Sequence, residues 1–251
     1  MSEDKPLVYM ILGATGSGRR AVLLDLIDDG LAPDAVHVIL VNDGESSDPA
    51  DEQFPALGSW HWTGSTIEAD ITTDVTHVFL ISDGRVDPVD QLEALKPWVV
   101  QQDAELARII TVVNCQLGES HSAVLAWYDA CVHFSDVILL NKREGVANKW
   151  ISDFQARYRN QWLPCLMEFV KAGRVKSASV VLDPIARRLS HYFDEEQDWV
   201  ISGAVNEDEA EGDEEIEVKM EEDPYFERHG EGDGRRMKEI PDIRKYLDAA
   251  E

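Results

Sequence analysis

The run Gly13-Ala14-Thr15-Gly16-Ser17-Gly18-Arg19-Arg20 sits between an apolar stretch, Leu7 to Leu12, and a stretch of helical spacing, Arg19 to Asp29. Apolar residues at Val22, Leu23, Leu26 and Ile27 give the helix one buried stripe, and Gly30 is a fitting stop. A strand that turns on glycines straight into a helix is a narrow constraint. The glycines let backbone N–H groups converge, and the helix N-terminus adds partial positive charge, so the turn suits a phosphate. The strand bearing such a turn belongs inside an α/β sheet.

The rest of the chain repeats the alternation. Apolar runs predict strands at Ala35–Val41, Thr76–Ser82, Arg108–Asn114, Asp136–Leu140 and Ser177–Leu182. Helical spacing predicts helices at Val89–Gln102, kinked or restarted at Pro97, and at Ser122–Phe134, Lys149–Tyr158 and Leu163–Ala172. Glu45 to Thr76 is rich in Gly, Ser, Asp and Thr and reads mostly as loop. The expected fold class is α/β, a parallel sheet flanked by helices, P-loop NTPase-like, with a flexible acidic C-terminal tail. In such sheets ligands sit beyond the carboxyl ends of the strands, where the Gly/Asp/Asn clusters of this chain fall.

Charge divides the chain. Of its net charge of −26, more than half lies in residues 194–227, which hold 16 acids and one base. The expected organisation is a nucleotide-binding domain over 1–193, an acidic disordered segment over 194–227, and a mixed-charge tail over 228–251. In that tail Arg235, Arg236 and Lys238 stand among apolar residues, and the segment suits a partner or the acidic body of its own chain. Such acidity opposes general binding to nucleic acid. No apolar run has the length of a membrane span, and the start Met-Ser-Glu-Asp lacks a signal-like basic region, so a cytoplasmic protein is expected. Cys115, Cys131 and Cys165 are scattered and read as reduced, buried thiols.

Two nucleotide sites share the loop's pattern. In the Walker A reading, G-x-x-x-x-G-K-[ST], Gly13 and Gly18 fit, Arg19 takes the lysine position, and Arg20 takes the place of the hydroxyl that holds Mg²⁺. In the dinucleotide reading, G-A-T-G-x-x-G, Gly13 and Gly16 fit, Arg19 replaces the last glycine, and Asp43 is the candidate ribose-binding acid for NAD(P). The loop leaves both open.

Further along, Asp136-Val137-Ile138-Leu139-Leu140-Asn141-Lys142-Arg143-Glu144 is similar to a strand ending in the guanine-reading N-K-x-D pattern, with Glu144 in the acid's place. Val41-Asn42-Asp43-Gly44-Glu45, Ile81 to Pro88 and Ile109 to Asn114 echo further segments in the same order. Together, over residues 7–144, the chain resembles the CobW-type GTPases, relatives of the HypB and UreG nickel-insertion proteins. The resemblance implies a GTP or GDP site built from Gly13, Gly16, Ser17, Gly18, Arg19, Arg20, Asn141, Lys142 and Glu144, and an accessory role in metal or cofactor handling with a protein partner.

The departures fall on chemistry. Arg19 and Arg20 replace the lysine and the hydroxyl, Ile81 replaces a carboxylate near Mg²⁺, and Ser59-Trp60-His61-Trp62 stands where the family's cysteine metal motif falls. His61 alone makes no metal site, and no catalytic or metal-ligating residue is assigned. Cys131 and His133, two apart on a helix, point to different sides. His37 and His77 read as packed strand residues, and Glu45, Asp83 and Asp87 as turn residues rather than Mg²⁺ ligands. The expectation is a pseudo-GTPase with weak or no hydrolysis, with an empty-site interaction protein and an NAD(P)-binding protein as alternatives.

Overall fold

The computed structural model describes residues 5–72, 74–194, 223–230 and 234–247. In chain order its elements begin with β1 (Leu7–Leu12), α1 (Arg19–Gly30), β2 (His37–Asn42), a short 3-10 helix (Pro49–Gln53), β3 (Leu57–Trp62), β4 (Ile67–Glu68) and β5 (His77–Ile81). There follow α2 (Pro88–Gln101), β6 (Glu105–Asn114), α3 (Cys115–Ser120), α4 (Val124–Phe134), β7 (Val137–Asn141) and α5 (Asn148–Arg159). The last are β8 (Leu166–Lys171), β9 (Arg174–Val175), α6 (Ala178–Leu182) and α7 (Arg244–Leu247).

One sheet runs through the middle in the order β4-β3-β2-β5-β1-β6-β7-β8-β9. The strands from β3 to β8 pair in parallel, and the two-residue strands β4 and β9 close the edges antiparallel. Alternation along β1 sorts the core. Val8, Met10 and Leu12 enter a cluster with α2, α4 and α5, while Tyr9 and Ile11 enter the other with α1 and α6. Burial on both faces is what a continuous apolar run requires.

Strand order decides between the two loop readings. In the dinucleotide fold β1 lies beside β2, in the order 3-2-1-4-5-6. Here β5 is inserted between them, so that β1 pairs with β5 and β6. The dinucleotide expectation fails on this point, and the fold is P-loop NTPase-like.

Other expectations also change. Leu163–Ala172 is no helix: Leu166–Lys171 pairs with β7 and turns through Ala172 and Gly173, with φ of 51° and 78°, into β9. Left-handed residues in a two-residue turn are those of a tight hairpin, and sheet pairing overrides the helix propensity of Leu, Met and Glu. Ser177–Leu182 is no strand: Ala178, Val181 and Leu182 are buried at helical spacing against α1. Glu45–Thr76 is mostly loop as expected, but not wholly. It holds the 3-10 helix, β3 and β4, and β3 eluded the pattern because Trp60 is its one fully buried side chain.

Pro97 sits inside α2 without ending it. Proline supplies no N–H to the carbonyl four residues back. That carbonyl, on Glu93, instead accepts the Tyr192 hydroxyl at 3.1 Å.

Residues 195–222, most of the acidic segment, lie outside the described residues. The residues that follow do not keep the expected solvated character. Asp223 accepts from His133 Nε2 at 2.8 Å and from the Ser190 hydroxyl, and Tyr225 and Phe226 are buried in the core. Arg236 reaches Asp87, Asp90 and Glu93 on α2, so the tail docks on its own chain. No helix among the described residues is long and apolar enough to cross a membrane.

Asp136 ties the sheet's second half together. It is fully buried and accepts from Ile109 N–H at 2.7 Å, from Arg187 N–H and from Arg188 Nη1 at 3.4 Å. Removing a buried carboxylate so engaged leaves the Ile109 and Arg187 N–H groups without this acceptor and leaves Arg188 only its contact with Asp194, at a cost of roughly 3 kcal/mol. Asp136→Ala is therefore expected to lower the urea midpoint sharply at unchanged slope, and a midpoint within error of wild type would contradict this.

Candidate functional site

The loop after β1 has the backbone its glycines promise. Gly13, Gly16 and Gly18 have φ of 144°, 79° and 83°, a region closed to most side chains. Gly13 also has no room for a Cβ, which would stand 2.5 Å from Val112 O. Thr15 N–H bonds Gly84 O at 3.3 Å and Ser17 N–H bonds Ala14 O at 3.0 Å. Asn141, at the end of β7, donates from Nδ2 to Ser17 O at 2.8 Å. The first N–H groups of α1, which begins at Arg19, have no acceptor inside the helix. They remain a place for an anion.

The side chains are arranged differently. Arg19 turns inward, pairing with Glu45 Oε1 at 2.8 Å and donating to the carbonyl and hydroxyl of Ser82. Both members of the pair have side chains only 4% exposed, so this is a buried ion pair. The same Glu45 oxygen accepts the Thr15 hydroxyl at 2.9 Å and Gly84 N–H at 2.7 Å. Burial alone would raise the Glu45 carboxyl, but the Arg19 guanidinium and the bonds from Gly84 and Thr15 outweigh it and hold its pKa below the ordinary value. Arg20 is occupied as well, donating to Ser46 O at 2.8 Å and pairing with Asp51 at 2.9 Å.

The carboxylates weighed as Mg²⁺ ligands also have protein partners. Asp83 accepts Arg85 N–H at 2.8 Å, and burial, with Glu45 nearby, raises its pKa. Asp87 caps α2 by accepting Val89 N–H at 2.8 Å. Between the loop and the β2 end lies a cleft of about 200 Å³, lined by Thr15, Gly16, Gly18, Arg20, Ser46 and Asp48 among others. Its lining of loop residues and hydroxyls has room for a phosphate-sized group.

Gly13, Gly16, Ser17, Gly18, Arg19, Arg20 and Asn141 thus meet at one place. Lys142 and Glu144 lie in the turn after β7 with exposed side chains; Lys142, at a φ of 52°, still lays its stem beside the loop, where a Cβ on Gly18 would stand 3.7 Å from its Cε. Thr15, Ser46, Asp48 and Asp51 complete the site and were not expected there. A local signal for them exists: Asp48-Pro49 with Asp51 forms a reciprocal capping box on the 3-10 helix, which fixes the segment that carries Asp51 to Arg20.

Away from the loop, His61 pairs with Asp43 at 2.6 Å, both half exposed. No group of three His, Cys, Asp or Glu side chains among the described residues is placed to hold a metal. Cys115 is pushed up to about 12 by burial, and Cys131 also well up, so neither is a ready thiolate.

No protein-family model matches the chain, and no curated protein matches it. Among solved structures it is similar to the Zn(II)-bound YjiA GTPase from E. coli, at 13% identity over 74% of this chain and 67% of that one, with a TM-score of 0.41. It is similar to a Zn(II)-bound triple mutant of the YjiA GTPase over the same shares and at the same identity, with a TM-score of 0.42.

Deleting the Glu45 carboxylate strands a buried guanidinium, and Glu45→Ala is expected to cost roughly 3 kcal/mol at neutral pH. The pH dependence has a definite sign. The folded pKa lies below the unfolded one, so the stabilisation is complete above the unfolded pKa and fades as pH falls through the folded value. The gap in melting temperature between wild type and Glu45→Ala should be widest near pH 7 and narrow below about pH 4. A gap that widens toward acid would refute this account of the pair.

Proposed function

We propose that the chain is a non-hydrolysing interaction protein on a P-loop-type fold, in which Glu45 holds the loop that a nucleotide holds in an active relative. The buried Arg19–Glu45 pair carries this reading. A phosphate reaching Arg19 has to displace Glu45 or lie beside its negative charge, and either route is costly in a dry site. Arg20 offers Mg²⁺ a cation instead of a hydroxyl, and Ile81 offers it no carboxylate. The metal that turnover needs therefore has no binding group at these positions.

A second reading has one observation in its favour. Asn141, the residue that the CobW resemblance assigns to the guanine edge, already bonds the loop through Ser17 O. On that reading GTP or GDP binds and is not turned over.

Thermal denaturation with 1 mM GDP-Mg²⁺, ADP-Mg²⁺ or NADPH separates the two. A ligand present at about 100 times its Kd adds roughly 2.7 kcal/mol of stability, which is several degrees for a domain of this size. The interaction reading expects no shift with any of them and no phosphate release from GTP in a single-turnover assay. A shift with the guanine nucleotide alone selects the second reading, and phosphate release at an ordinary GTPase rate refutes both.

A further inference from the structure

Asp223, the first described residue after Asp194, accepts the Ser190 hydroxyl. From there residues 223–230 and 234–247 run as a strap over α2 and α4. Apolar anchors hold part of it: Tyr225, Phe226 and Ile243 are buried in the main core, and Ile240, Tyr246 and Leu247 pack against that core. Phe226 lies 5.3 Å from Phe134 and 4.3 Å from Tyr192, Tyr225 lies 4.8 Å from His133, and Ile243 is buried further on.

The remaining grip is electrostatic. Arg236 reaches Asp87, Asp90 and Glu93, and Arg228 joins it on Glu93 at 2.8 Å. Lys238 stands over the Tyr225 ring at 3.9 Å. Three carboxylates on one side of α2 make a surface that suits arginines, with an aromatic pocket beside it. That surface begins at Asp87, shortly after the Gly84 turn that contacts Thr15 and Glu45 in the loop.

We propose that the α2–α4 face is a docking surface for a protein segment carrying an aromatic pair followed by arginines, and that residues 223–230 and 234–247 are its built-in occupant. A partner segment of that chemistry displaces the strap and gains the same carboxylates and the same aromatic pocket. Two observations support exchange over permanent packing. In sequence the strap is separated from Asp194 by the whole acidic stretch 195–222, and its arginines pair with partly open carboxylates, with Asp90 and Glu93 side chains 38% and 40% exposed. Tethering keeps the occupant at an effective concentration on the order of millimolar, so a free segment competes at a disadvantage until the tether is cut or the partner binds tightly. This extends the interaction reading above. Its test follows strap exchange and not nucleotide, so each can fail alone.

The test uses the full chain with a specific protease site introduced at Gly203 and a fluorescent synthetic peptide of residues 223–247, followed by anisotropy. After cleavage the protein is expected to take up the labelled peptide to one equivalent. The uncut protein should bind it at least about tenfold more weakly. An unlabelled peptide with Arg228→Gln and Arg236→Gln should compete at least about tenfold less well than the native sequence, because it forfeits the charge-assisted bonds. Cleaved protein that unfolds by circular dichroism, or that keeps its strap without exchange, overturns the proposal by making the strap a fixed part of the core. Equal uptake by cut and uncut protein overturns it by placing the peptide elsewhere. Equal competition by the glutamine peptide overturns the stated partner chemistry.

Discussion

One oxygen of Glu45 collects donors from three parts of the fold. Arg19 comes from the first turn of α1, Thr15 from the loop, and Gly84 from the turn after β5. These segments meet only because β5 is inserted between β1 and β2, which puts the β2 end, the loop and the β5 turn side by side. The fit is tight: a Cβ on Gly84 would stand 2.3 Å from Thr15 N. A charged pair this deep pays its desolvation only when its remaining hydrogen-bonding capacity is met. Here Ser82, Thr15 and Gly84 supply the extra bonds, so the ion pair and the backbone packing around it depend on one another.

The central strands were legible because burial on both faces leaves no freedom in residue choice. Val8 to Leu12 and Val137 to Leu140 must all be apolar, and such runs stand out. The edges obey weaker rules. β3 shows the solvent most of its side chains, so Leu57-Gly-Ser-Trp-His-Trp carries no alternation, and only the Trp60 indole, donating to Ile81 O at 2.9 Å, reveals its pairing role. Five-residue α6 is too short for a period of 3.6 to be told from a period of 2. The misassigned β8 lies near the far edge of the sheet, where tertiary contacts outweigh propensity, while α6 packs on α1, its Leu182 carbonyl accepting the Tyr9 hydroxyl at 2.7 Å.

The site was half legible, for a related reason. Glycine positions and the strand-end Asn141 follow from backbone geometry, which is written locally. Side-chain direction is not. Nothing near Arg19 in sequence indicates that its guanidinium turns toward Glu45, since the partner arrives from another strand and the choice rests on strand order. Reading the loop with the phosphate in mind therefore placed Arg19 and Arg20 as ligand groups, while the fold gives each a carboxylate of its own. The same holds for Asp223 and Arg236, whose partners lie on α2, α4 and the segment before the tether.

Those pairings also account for the loop's departures from the Walker A pattern. Buried unpaired charge is costly. Around this loop the charged groups match one another. Arg19 has Glu45, Arg20 has Asp51 and the Ser46 carbonyl, and Arg85 donates to Gly44 O and to the Ser46 hydroxyl at 2.9 Å. Asp51 is in turn held by the capping box of the 3-10 helix. Each of these arginines thus has an acceptor drawn from the end of β2 or just beyond it. The loop and the first turn of α1 are thus fastened to the β2 end by the chain's own carboxylates and carbonyls.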